Sequence, residues 1–302
     1  MKDVYCYGLV ELSSIYSLSG KFPSADSYKE VNTLVEVPGG EATNAAVVLS
    51  RLGLKTKIAG TWLGEDVYHK VKGYFDKEKV DTSSLELKAK YSGPRDLVFV
   101  SDDGRTVFGW FGKLWFQGRK WSKPKQTDIK NCRVACLDPF MHEESDEAAR
   151  LCVKYGKKYV TIDEKPERYI IKNSDVVVLS GEFLQREYPK ADMDKLFLEY
   201  TKKCKGLVII TSGADKITYG RNDTTKKVFK PAKVKAVDTL GAGDTFRAGI
   251  SFGLLHNWDD DKTVVFASML ASMVCMSGPG VTKSPSMKEF KKFIKTELPP
   301  SL

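Results

Sequence analysis

Residues 238–244 read Asp238-Thr-Leu-Gly-Ala-Gly-Asp244, and the reading of this stretch decides the fold. Before it lies Lys230-Pro-Ala-Lys-Val-Lys-Ala-Val237, which reads as an extended, β-prone segment. After it comes a helical pattern, Thr245-Phe-Arg-Ala-Gly-Ile-Ser-Phe-Gly-Leu-Leu255. A small-residue turn that opens a helix leaves backbone N–H groups without intrahelical partners. Those donors, with the positive end of the helix dipole, suit a phosphate or a developing negative charge. Asp244 stands where a carboxylate can take a proton from a hydroxyl while the amides of Gly241, Ala242 and Gly243 hold a phosphoryl group. Base and anion hole in one turn is the layout that phosphoryl transfer needs. An aspartate at this point also serves as an ordinary helix cap, but the surrounding glycines favour chemistry.

Two other phosphate loops are excluded. The dinucleotide pattern G-x-G-x-x-G fails because Phe246 stands at the third glycine, and the chain has no G-x-x-x-x-G-K-[S/T]. Outward from the stretch, strand and helix patterns alternate. Strands are expected at 3–10, 55–60, 133–137, 158–162, 175–179 and 207–211. Helices are expected at 42–52, 66–79, 142–155, 192–203, 243–256, 262–276 and 286–295. This order predicts an α/β fold, a doubly wound and mostly parallel sheet flanked by helices, in one domain over residues 1–302. Two segments break the alternation, about 13–38 and 90–120. Tyr28–Val37 alternates with period two, and Asp102-Asp-Gly104 joins Asp96–Ser101 to Arg105–Phe111 as a hairpin. Both read as strands of a small separate sheet. Trp110, Phe111, Trp115 and Phe116 are expected to be buried against the core or a partner.

The 238–244 stretch resembles the signature of the ribokinase-like (PfkB) carbohydrate kinases. Gly39-Gly-Glu-Ala-Thr-Asn-Ala-Ala46, followed by Arg51-Leu-Gly53 and Gly64-Glu-Asp66, resembles that family's other signature. The order and spacing agree, and the resemblance covers nearly the whole chain. It implies the ribokinase-like fold, with the small sheet as a lid over a sugar site and as the surface of a homodimer. It implies ATP and Mg²⁺, with a monovalent cation left open, and transfer to a hydroxyl of a sugar or sugar derivative. A nucleoside kinase and a non-catalytic ligand-binding relative are the alternatives. Asp244 would be the general base and Gly241, Ala242 and Gly243 the anion hole. Thr211 and Gly213 resemble the family's nucleotide loop, and Ala267 and Ala271 would face adenine. Asp238 either caps the turn or helps to position cation or phosphate. Ser13, Gly39, Gly40, Glu41 and Asn44 would bind the substrate. Asn44 offers both donor and acceptor to hydroxyls, and Glu41 can take hydroxyls or an ammonium.

The sequence also departs from the family pattern. Ser13 stands where relatives carry an aspartate that grips sugar hydroxyls, and Glu11 is expected to point elsewhere. Glu164-Lys-Pro166 and Asp175–Phe183 look most like the ketohexokinase branch. Ser180 and Phe183 replace the family's N-x-x-E motif, with Glu182 one residue off register.

Composition narrows the function classes. The chain has 302 residues, a net charge of +9 and six cysteines. Its lysine clusters fall on helix faces without a nucleic-acid motif, so no nucleic-acid partner is expected. No apolar run approaches the ~20 residues of a membrane span, and no signal peptide is read at the start. Cys132 and Cys136 have no second pair or histidine to complete a zinc site. Reduced, buried thiols and a cytoplasmic location are the expectation. His69, His142 and His256 form no ligand cluster, and no protein-held metal is expected.

Overall fold

Runs such as Val176-Val-Val-Leu179 and Leu207-Val-Ile-Ile210 carry apolar side chains on both faces, which suits strands covered by helices on both sides. The computed structural model, which describes residues 1–222 and 226–297, places both runs inside an eight-stranded sheet. Along the chain the strands are β1 (Lys2–Gly8), β2 (Glu11–Leu18), β3 (Val31–Gly39), β4 (Thr56–Gly60), β5 (Arg95–Ser101) and β6 (Gly104–Gly109). They continue as β7 (Cys132–Leu137), β8 (Lys158–Ile162), β9 (Val176–Ser180), β10 (Leu207–Thr211), β11 (Ile217–Gly220) and β12 (Lys227–Phe229). The large sheet has the order β12-β11-β10-β9-β8-β7-β1-β4. Strands β4, β1, β7, β8, β9 and β10 run parallel, and β11 and β12 extend one edge antiparallel.

The period of two sorts the core into layers. Tyr5, Tyr7, Ala135, Leu137, Val177 and Leu179 join one cluster with side chains of the Glu143–Lys154 and Met193–Lys203 helices. Val4, Cys6, Cys136, Val160 and Val178 join the clusters of the Glu41–Arg51, Ala242–Leu255 and Asp260–Cys275 helices. The last two helices pack closely because Gly249 has no side chain. A Cβ there would come within 2.5 Å of the Ala267 Cα.

Strands β3-β2-β5-β6 form a second sheet, in which β2 and β5 are parallel and the other pairs antiparallel. Its inner face buries Ile15, Val37 and Val98, with Leu240 packed against them. Leu240 belongs to the 238–244 stretch, so this sheet roofs that turn.

Two local expectations are corrected. Residues 230–237 form no strand, because Pro231 lacks an N–H and this lysine-bearing segment, largely exposed, has no apolar face to bury. The first extended segment is two strands, β1 and β2, in different sheets. Between them the chain turns, with Leu9 N donating to Asp138 Oδ2 (2.9 Å) and Val10 N to Thr61 Oγ1 (2.9 Å). Ser13 therefore lies in the roof, not at the end of a core strand. Of the four aromatic residues, Phe111 and Trp115 pack on the core. Trp110 is 56 % and Phe116 86 % exposed, since the short Gly112–Phe116 helix offers only Leu114 a buried position.

Candidate active site

The two sheets meet over a cavity of about 390 Å³, outside the carboxyl ends of the parallel strands. Ala242–Leu255 supplies its floor. The helix opens at Gly241, whose φ of 75° lies in the left-handed region, where a side chain would be strained. A Cβ on Gly243 would meet nothing within 4 Å, so the first helical turn faces open space. The turn is braced from behind. Asp238 accepts from Leu240 N (2.9 Å) and from Gly280 N (2.7 Å), which uses both carboxylate oxygens. This is the capping role, and Asp238 does not line the cavity.

Asp244 is half-buried at the cavity floor and accepts a hydrogen bond from Asn44 Nδ2 (2.7 Å). Desolvation pushes its carboxyl above the ordinary aspartate value, while Arg247 and the Asn44 bond pull it back. Gly39 and Gly40 bring Asn44 here. Gly40 has φ 97°, and a Cβ on it would collide with the Leu9 carbonyl. The chain thus turns sharply from β3 into the Glu41–Arg51 helix.

One face of the roof points down. Glu11, Ser13 and Ile15 of β2, Asp96 and Val98 of β5 and Arg105 of β6 line the cavity with period two. Glu11, expected to point elsewhere, is 4 % exposed and has Oε2 unpartnered. Desolvation raises its carboxyl well above the usual range, with Asp96, Glu41 and Asp244 adding to the shift. Glu41 is pushed up to about 8, chiefly by desolvation, and its Oε2 is also unpartnered. Asp96 is pushed up to about 6 by desolvation, against a bond from Ser13, and keeps Oδ1 unpartnered.

At the other end, Asp163, Ser180 and Thr211 stand at the ends of β8, β9 and β10. Asp163 has φ 32° and accepts from Ser180 N (2.6 Å) and Ser180 Oγ (2.8 Å). Ser180 Oγ in turn accepts from Phe183 N and caps the Gly181–Glu187 helix. Phe183 is core, and Glu182 is on the surface, paired with Arg105 at 3.3 Å. Gly213 is exposed at φ 55°, away from the cavity. Ala267 is fully buried between helices and has no open face for adenine, which corrects that expectation, and Ala271 is half-buried outside the cavity.

Beneath the floor lies a fully buried ion pair, Arg247 with Asp138 at 2.6 Å. Asp138 Oδ2 also accepts from Leu9 N and Ala42 N. A Cβ on Gly8 would collide with this carboxylate. Desolvation opposes the guanidinium charge, but Cys136, Asp138 and Asp244 outweigh it and raise its pKa. Four elements, β1, β7 and the helices bearing Asn44 and Asp244, are joined at this node. Sequence reasoning missed Arg247, Asp138, Asp163 and Asp96. Asp138 and Asp163 were findable as polar residues just beyond apolar strands, and Arg247 as a charge inside an apolar helix pattern.

A glycine turn and an aspartate thus lie under a roofing sheet, at the edge of a parallel α/β core. The pattern of the pfkB family carbohydrate kinases matches residues 1–286, and the chain belongs to that family. It is 27 % identical over 297 residues to a 5-dehydro-2-deoxygluconokinase of Clostridium botulinum, covering 88 % of this chain and 86 % of that one. It is 24 % identical over 298 residues to a nucleoside kinase of Methanothermobacter thermautotrophicus, covering 96 % and 95 %. In solved structures the fold is shared with an Arabidopsis thaliana ribokinase complexed with ribose and ATP, at TM-score 0.79, 17 % identity and coverage of 97 % and 99 %. The protein is an ATP-dependent kinase of the sugar and nucleoside class. Among the described residues no helix is long and apolar enough to cross a membrane.

Proposed function

We propose that the chain phosphorylates a hydroxyl of a sugar or sugar derivative, with Asp244 as general base and the 241–243 turn as anion hole. The observation that carries this reading is Asp244 at the first helical turn, bonded to Asn44 and facing the cavity between core and roof. Asp244 takes the hydroxyl proton, and the oxygen attacks the γ-phosphorus of ATP. The bond to the β-phosphate oxygen breaks and ADP leaves. The raised carboxyl makes Asp244 a better proton acceptor than an exposed aspartate. The backbone donors of the turn meet the charge on the transferring group. Thr211 and the adjoining loop lie on the nucleotide side. Among the described residues no group of three acidic, histidine or cysteine side chains is placed to hold a metal. Mg²⁺ would therefore come with the nucleotide phosphates and would neutralise phosphate charge.

The test is ATP turnover over a panel of sugars, sugar acids and nucleosides. Turnover confined to nucleosides would select the alternative acceptor class, and binding without turnover would select the non-catalytic reading. We further infer that the roof pairs two copies of the chain. Leu34, Phe108 and Trp110 are about half exposed on β3, β6 and the residue after β6. Light scattering on the wild type and on Phe108→Glu checks this: a dimer that becomes monomeric is expected.

A further inference from the structure

Three acidic side chains of the cavity each keep one buried oxygen without a partner. Glu11 and Asp96 are each more than nine-tenths buried in the roof, and Glu41 opens the helix below them. Glu11 and Gly39 are directly opposite across β2 and β3, and Ser13 faces Asp96 across β2 and β5. The acids therefore converge at one end of the cavity. The other charged groups lining it are already engaged. Asp163 is held by Ser180, Asp244 by Asn44, and Glu182 pairs with Arg105, the cation of this lining. Arg247, below the floor, is tied to Asp138 through Nη1 and leaves Nε and Nη2 without a partner, and Arg95 pairs through Nη2 with Asp66 and leaves Nε without one.

Unsatisfied buried carboxyls are costly, and several together repel one another. A neutral sugar offers hydroxyl donors but no charge. A metal cage does not explain the group, because no metal-holding cluster forms among the described residues.

We propose that the substrate carries a protonated amine beside its hydroxyls, an amino sugar or a sugar–amine adduct, and that Glu11, Glu41 and Asp96 receive that ammonium. This rests on the sugar-kinase reading above. It assigns the two ends of the cavity opposite ligand charges: phosphate at the glycine turn, ammonium under the roof. Ser13 fits the same scheme, since a hydroxyl there bonds Asp96 instead of adding a further carboxylate.

Binding should release protons. Glu41 is held at about 8 in the free protein, so at pH 7.5 an ammonium would draw it into the ionised form, whereas Asp96, pushed up only to about 6, is already ionised there. The groups facing them are Asp138, Asp244 and Arg247 around Glu41, and Glu11 with Ser13 beside Asp96.

The experiment uses matched pairs of ligands that differ only by amine or hydroxyl, including glucosamine with glucose and 1-amino-1-deoxyfructose with fructose. Affinity is read by calorimetry at pH 7.5 in two buffers of different ionisation enthalpy, and ATP turnover is read separately. The expected result is amine binding at least tenfold tighter than its hydroxyl partner, with proton release. Glu11→Gln and Asp96→Asn should each cut the preference severalfold and leave the KM for ATP unchanged. Without ligand, both variants should melt higher than the wild type, because an unpaired acid is removed. Amine and hydroxyl ligands that bind alike, no amine bound at all, or variants that melt lower would each overturn the proposal. If neutral sugars turn over and amines show no advantage, this inference fails and the kinase reading stands. If amines bind tightly but nothing is phosphorylated, the kinase reading fails and the ammonium site stands.

Discussion

Buried charge is handled in two ways around Asp244, one with a counter-charge and one without. Below it, Arg247 and Asp138 form a dry pair, with the remaining Asp138 oxygen bonded to two backbone amides. Above it, Glu11 and Asp96 are nearly as buried, yet each keeps an oxygen without a partner. The first arrangement matches opposite charges and uses both Asp138 oxygens, although Arg247 Nε and Nη2 keep no partner, and it fixes where two helices begin relative to two strands. The second is incomplete in the folded chain. Desolvated polar groups of this kind mark a site whose stabilisation comes from outside. The difference separates residues that build the site from residues that use it.

Asp244 stands between the two regions, and its removal should have the largest effect. Asp244→Asn should lower kcat/KM by ~10²–10⁴-fold while thermal melting and ATP binding survive. A coupled ATP assay beside a melting curve checks this, and near-normal turnover would take Asp244 out of the mechanism. Breaking the lower pair comes next. Arg247→Met leaves Asp138 buried and unmatched, and should cost about 3–5 kcal/mol of stability in chemical denaturation. A cost within experimental error would mean that the node does not hold the floor together. Asn44→Ala should be milder, about 1–3 kcal/mol in kcat/KM for the acceptor with the KM for ATP little changed. A change confined to the ATP KM would put the acceptor site elsewhere.

The smallest effect sharpens the upper half of the comparison. Glu41 titrates near 8 in the folded protein, above its ordinary 4.5. At about pH 4 the carboxyl is protonated in folded and unfolded chains alike, and its ionisation affects neither. As pH rises towards 8 the unfolded chain ionises first, so stability drains away through that window. Glu41→Gln should melt like the wild type near pH 4 and a few degrees higher near pH 8–9. Equal melting at both pH values would mean that Glu41 has an internal partner.

Much of the fold was legible because its signals are local. Val176–Leu179 and Leu207–Ile210 read as buried parallel strands from their apolar runs, and the glycine turn before Thr245 marked a helix start. Asn44 and Asp244 were each named as candidates from their own motifs, but their hydrogen bond joins residues 200 positions apart and no local pattern shows it. Glu11 was misread because Leu9 and Val10 look like a continuing strand. Only the acceptors on Asp138 and Thr61 reveal the change of sheet. Ala267 was misassigned because a small residue on a helix serves a ligand face and a close helix contact equally well, and Gly249 decides for the contact.

The cysteines have a practical consequence. Cys6, Cys132, Cys136, Cys152 and Cys204 are buried free thiols, whereas Cys275 is half-buried. The carbonyl of Cys275 accepts from Val237 N and Asp238 N, where the chain enters the glycine turn. A thiol-specific reagent therefore has two clocks to read in the native chain. Rapid modification of one sulfur would time the loosening of the turn, and the slow loss of the other five would time the opening of the whole molecule.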